Sequence, residues 1–355
     1  MGRKKMSVAM LLVVLLSSLV VADRLGFAQE KEQMNRCRQH DFGQFSDWSD
    51  PPVNLGPVIN MDRDNKGVNN QSPAISPDGL SLYFTSDRPG GFGTLDIYLS
   101  HRASLDDDWG PPQNLGPIIN TNSPDQNIVP TFSDDGHRIY FCSTQSGGVA
   151  SGGNTDIWVS FRKDTTDDFD WQPPTHLGSG VNTEQGQCGP TIFEDRDQHV
   201  TTLYFARCLS ASCAVGVPVA NQKASIYAST LNDDGTFGTA MPVDALNSGF
   251  RDTRTAIRND GLEMFLSSSR PGGFGGTDLW VSTRKTTQDV WSPPVNLGPK
   301  VNTGFNEAAP ALSCDGTTLY FHSNRPGGFG KTDLYVTTRT KLPKKDKDDD
   351  RDNKE

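Results

Sequence analysis

The stretch "PAISPDGLSLYFTSDRPGGFGTLDIYLSH", Pro73 to His101, decides the fold. Pro73 to Ser76 is short and apolar, while Ser81 to Thr85 and Asp96 to His101 alternate in polarity, the period of a half-buried strand. Asp78-Gly79 falls between the first two runs and supplies the positive φ that a tight hairpin requires. The glycine-rich "RPGGFG" separates the second run from the third. A fourth run follows in "WGPPQNLG", from Trp109. Four strands joined by turns make one antiparallel sheet.

The unit recurs. Its second strand reappears as "RIYF" at Arg138, "TLYF" at Thr202, "EMFL" at Glu263 and "TLYF" at Thr318, roughly 55 to 64 residues apart. That period is in the range of a propeller blade with generous loops. Asp135-Gly136, Asp260-Gly261 and Asp315-Gly316 repeat the hairpin. Outer strands are expected near Trp48, Trp109, Trp171, Phe237 and Trp291. The first of them precedes the first complete repeat, and the last repeat has none of its own. The Trp48 region therefore completes the last blade and removes the open sheet edge. The expected fold is all-β: a five-bladed β-propeller of four-stranded antiparallel blades, spanning 47–340.

The flanks read differently. Arg3-Lys4-Lys5 and the apolar run Val8 to Ala22 fit a secretory signal and are short for a membrane span. The expected organisation is a signal peptide over 1–28, cleaved after Ala22 or Ala28, a linker over 29–46, and a charged, disordered tail over 341–355. A periplasmic or secreted monomer with no stable membrane span follows. The formal net charge is −10. Removing residues 1–28, with four Lys/Arg and one Asp, makes the remainder more acidic still, about −13. Such a chain repels nucleic acid and anionic membranes. The six cysteines allow 15 pairings in an oxidising compartment. Cys208 and Cys213, close neighbours in one long loop, are the first candidates for a bridge.

Motif chemistry is sparse. Gly330-Lys331-Thr332 resembles the end of a phosphate loop, but Arg325 stands where the leading glycine belongs, and the lysine is missing from the other repeats. No nucleophile elbow, zinc-protease helix or Cys-x-x-Cys occurs, so neither a cofactor nor a metal is expected.

"INTNSPDQNIVPTFSDDGHRIYF" and "VNTGFNEAAPALSCDGTTLYFHSNRPGGFGKTDLYVTTR" resemble the TolB-type, WD-repeat-like β-propeller repeat of bacterial exported proteins, over Trp48 to Arg339. TolB itself is a periplasmic interaction module with six blades and a separate α/β domain. This sequence has five repeats and no room for a second domain. The resemblance implies a non-enzymatic propeller that binds a protein or glycan partner through its loop-rich face.

Two sets of residues are candidates for that face. Asn70, Asn127, Gln187, Asp252 and Glu307 precede the first strands and form an expected polar ring at the channel mouth, the default place for a ligand. Arg88, Phe92, Arg270, Phe274, Arg325 and Phe329 belong to the RPGGFG loops. There the Phe tips suit a partner, and each Arg is expected to pair with an Asp opening the third strand, such as Asp96 or Asp278. Asn60, Asn120, Asn182, Asn247 and Asn302 recur between blades and read as structural. The alternative is a glycoside hydrolase-like enzyme, because five-bladed arabinanase-type enzymes set carboxylates around the same axis. Asp252 and Glu307 would then be the catalytic pair.

Overall fold

A computed structural model describes residues 43–49, 51–61, 67–121, 127–150, 154–208 and 222–343. The expected signal peptide and most of the charged tail lie outside them. The described residues form five four-stranded antiparallel sheets arranged as a five-bladed β-propeller. Strand β1 (Val53–Asn54) pairs with the final strand, Val53 opposite Val336, and so completes the last blade.

Blade one is β2 (Asn70–Ile75), β3 (Ser81–Ser86), β4 (Asp96–His101) and β5 (Gln113–Asn114). Blade two is β6 (Asn127–Phe132), β7 (Arg138–Ser143), β8 (Asp156–Phe161) and β9 (Thr175–His176). Blade three is β10 (Gln187–Asp195), β11 (Val200–Cys208), β12 (Ala224–Thr230) and β13 (Met241–Pro242). Blade four is β14 (Asp252–Ile257), β15 (Glu263–Ser268), β16 (Asp278–Thr283) and β17 (Val295–Asn296). Blade five is β18 (Glu307–Leu312), β19 (Thr318–Ser323) and β20 (Asp333–Thr338), with β1 outermost.

The outer strands are two-residue pairings that begin beyond the tryptophans expected to carry them. Each Trp has another task. Trp109 lies under the Arg102 guanidinium at 4.4 Å, and Trp171, Trp291 and Trp48 lie likewise under Arg162, Arg284 and Arg339. Each of these arginines also donates to the glycine carbonyl of its blade's Asp-Gly hairpin. Cation, indole and hairpin thus lock one corner of four blades. Blade three has no Asp-Gly in its first hairpin and no such arginine, and its first two strands run on for nine residues each.

Alternation in the second and third strands places apolar side chains between blades. Leu82, Phe84 and Leu334 are fully buried together where blade five meets blade one. Each such side chain contributes about 1.5–3 kcal/mol of burial. Four of the recurrent asparagines, Asn60, Asn120, Asn182 and Asn302, are buried in the connections. Asn120 accepts from the Ile97 N–H and donates to the Ile97 carbonyl, 2.9 Å each. Asn60 ties β1's neighbourhood to Leu334 in the same manner.

Every first strand carries a bulge at one level of the axis. Ser72, Val129, Gly189, Arg254 and Ala309 all have positive φ there. Proline follows four of them, a residue that a bulge tolerates because no ladder N–H is needed. The freed N–H groups reach sideways to the preceding blade. Val129 N–H donates to Thr85 Oγ1 and Ala309 N–H to Ser267 Oγ. Ser72 N–H donates to His322 Nδ1 at 3.2 Å, which closes the ring. Between blades two and three the same position holds Cys142, disulfide-bonded to Cys188. Cys208 and Cys314 are also disulfide-bonded. The expected Cys208–Cys213 bridge lies outside the described residues, as Cys213 does.

Candidate active site in the axial channel

The residues expected to ring the channel mouth are placed inside the blades. Asn70, Gln187, Asp252 and Glu307 have no solvent exposure. Asn127 opens β6 at the corresponding position. Asn70 Oδ1 accepts from Ser86 and Arg88, 2.8 Å each, and Gln187 is paired with Thr183. The Asp252 carboxylate accepts from Ser248, Ser268 and Arg270, and Glu307 accepts from Thr303, Ser323 and Arg325. Both acids are therefore saturated by their own blades, which corrects their reading as a ligand-binding or catalytic pair. They are buried anchors, and removing one member of such an ion pair costs about 3–5 kcal/mol.

The RPGGFG loops are built differently from expectation too. Arg88, Arg270 and Arg325 turn inward to Asn70, Asp252 and Glu307, over the aromatic rings of Tyr98, Trp280 and Tyr335. They do not pair with the third-strand aspartates. Asp96 instead accepts the Phe92 N–H at 2.5 Å and the Gly93 N–H at 3.0 Å, and Asp278 and Asp333 repeat the clasp. The tips stay in solvent, with Phe92, Phe274 and Phe329 at 37, 50 and 42 % exposure.

The open space lies at the other end of the axis. A cavity of about 710 Å³ runs from the bulge level to the first hairpins and is lined by the first strand of every blade. Its size is that of a small-ligand site. The floor carries Arg254, whose guanidinium crosses the channel to donate to Ser72 Oγ in blade one. Burial, with Arg251 nearby, draws its pKa down to about 9, so it stays charged at neutral pH. His322 stands behind it. Burial, then Arg254 and Arg251, push that imidazole well below its usual pKa, and it stays neutral.

The rim carries a pair of acids. Asp134 follows β6 in the hairpin of blade two, and Glu194 sits near the end of the extended β10. The Asp134 N–H donates to Glu194 Oε1 at 3.1 Å, and the Asp134 carboxylate meets the Arg196 guanidinium at 3.1 Å. Burial first, then the Glu194 charge, raise the Asp134 pKa to about 6 against the opposing pull of Arg196. The rim continues outward between blades three and four as a groove of about 440 Å³, along Asp195, Asn259, Asp260 and Lys285.

The repeats had singled out none of these residues. Two signals were there to be found. Arg254 occupies the position held by Ser72, Val129, Gly189 and Ala309 in the other repeats. Blade three lacks the Asp-Gly that would have ended its hairpin before Glu194.

No protein-family model matches the chain, and no curated protein matches it in sequence. Solved structures do match its fold, and glycoside hydrolases are among them. The α-L-arabinofuranosidase of Lactobacillus brevis aligns over 80 % of this chain and 94 % of its own, at 16 % identity and a TM-score of 0.50. The α-L-arabinofuranosidase of Podospora anserina, solved with cellotriose, aligns over 84 % and 98 %, at 11 % identity and 0.51. A family 117 glycoside hydrolase from Zobellia galactanivorans aligns over 84 % and 91 %, at 13 % identity and 0.51. At these identities the likeness establishes the propeller.

These neighbours correct the TolB-type, WD-repeat-like family expected from the repeats. The non-enzymatic binding role drawn from that resemblance, and the expectation against an enzyme, fall with it.

Proposed function

We propose that this chain is a glycoside hydrolase-like enzyme whose reaction centre is the rim of the axial cavity, with a glycan as its substrate. The observation that carries this is the adjacent Asp134 and Glu194 carboxyl groups over an open cavity, one of them holding its proton to about pH 6. Glycoside hydrolysis needs such an unequal pair. Asp134 gives its proton to the glycosidic oxygen as the C–O bond breaks. The oxygen of water adds to the anomeric carbon, and its proton passes to Glu194. Arg196 steadies Asp134 once it is anionic. The groove between blades three and four offers a course for the rest of the chain. The fold shared with known glycoside hydrolases supports the reading, and the leader-like start supports an exported enzyme.

The test is reducing-sugar release from a panel of plant and algal polysaccharides. Asp134→Asn and Glu194→Gln are each expected to lower turnover by roughly 10²–10⁴-fold while the melting temperature holds. The wild-type rate should fall as pH rises through about 6, because the acid must be protonated. Full activity in Asp134→Asn would sink the assignment.

A further inference from the structure

Arg254 is an anomaly that hydrolysis of a neutral glycan does not explain. It alone places a long charged side chain at the bulge ring, where the other blades use Ser72, Val129, Gly189 and Ala309. Its backbone is left-handed, φ +49°, without glycine's freedom. Gly189 makes room for it, since a Cβ there would lie 3.2 Å from Arg254 Cα and Cγ. Among the described residues its one hydrogen bond is to a neutral serine hydroxyl, and no carboxylate reaches it. The contrast with its neighbours is sharp. Arg270 and Arg325, also mostly buried, each hold an acid within 3.2 Å. A partly buried cation without a counter-charge is costly. Arg251 is close enough to depress the Arg254 pKa, and among the described residues its guanidinium bonds only the Gln222 amide oxygen, with no carboxylate to neutralise it. His322 is neutral there and cannot supply an anion.

We infer that the floor of the axial cavity is an anion subsite, in which Arg254 receives the carboxylate of a uronic acid at the end of the glycan. Arg254 lines the cavity and keeps donors beyond the one given to Ser72. A guanidinium's planar fork suits a carboxylate. From the bulge at Gly189 to Glu194 is five residues of strand, about 16 Å. The acidic group is thus recognised more than one sugar ring away from the bond at the rim. The rim carries Asp134, Asp135 and Glu194, which disfavour a chain charged along its length. The site therefore selects a single acidic end.

This inference rests on the cavity being a glycan site, and a binding measurement separates the two. Calorimetric titrations would compare a glucuronate-capped disaccharide, the same disaccharide capped with glucose, and inorganic sulfate. The wild type should prefer the glucuronate form by at least about tenfold, the worth of one charge-assisted bond. Asp134→Asn and Glu194→Gln should keep that preference, though they lose turnover. Arg254→Gln should abolish it, and Arg254→Lys should retain a part of it. Equal wild-type affinity for both disaccharides, or no binding of either, overturns the inference; turnover of neutral glycans would then still stand. Sulfate bound as tightly as the uronate in an Arg254-dependent way also overturns it, since the site would then hold a free anion.

Discussion

His322 shows how one side chain can serve the ring only in one protonation state. Its Nδ1 accepts the Ser72 N–H across the joint between blades five and one, so the ring must be neutral. Its pKa lies well below 6.5 in the folded protein because of burial and the Arg254 and Arg251 charges. The unfolded chain takes up a proton near pH 6.5 and the folded chain does not. Stability from this group is therefore complete above about pH 6.5 and is lost as pH falls below it. Threonine, the residue blade one uses at this position, offers an acceptor that does not titrate. Between about pH 7.5 and 5, His322→Thr should lose less melting temperature than the wild type. Equal losses would show that the imidazole is not the sensor. Nothing local in the sequence links His322 to Ser72, because the two stand 250 positions apart.

At the scale of the element, the blade loop explains its own glycines. The third-strand aspartate folds back under the tip and collects two of its N–H groups, which leaves no room for a side chain. A Cβ on Gly273 would stand 2.1 Å from Asp278 Oδ2, and Gly91 and Gly328 are placed alike. Gly273→Ala should push that carboxylate off the Phe274 and Gly275 amides and cost about 1–3 kcal/mol in denaturant unfolding. Gly304→Ala, with open space around it, should fall within about 0.5 kcal/mol of wild type. Comparable losses in the two variants would refute the clasp. The recurring RPGGFG and Asp-Gly signals were legible because turn chemistry is local. The partner of each arginine was not. Arg88 follows β3 and Asp96 opens the adjacent β4, yet Arg88 turns to Asn70 because the backbone of its own loop already occupies the aspartate.

For the whole molecule, five repeats and a displaced outer strand were enough to close the ring, since strand number and edge pairing are arithmetic on the sequence. The site was not legible in that way. A repeat reading looks for what recurs, and it led to Asp252 and Glu307, which recur as positions because every blade needs an anchor there. The axial cavity depends on what fails to recur: an arginine in one bulge, a lengthened hairpin in one blade, an added acid beside one Asp-Gly. Only closure of the ring brings Asp134, Glu194 and Arg254 around one space.

A crystal structure of Asp134→Asn with a glucuronate-capped trisaccharide tests the account most directly. The account predicts the sugar chain in the axial cavity, its carboxylate on Arg254 and a glycosidic oxygen beside residue 134 and Glu194. Sugar bound instead on the opposite face, against Phe92, Phe274 and Phe329 with the cavity empty, would contradict it.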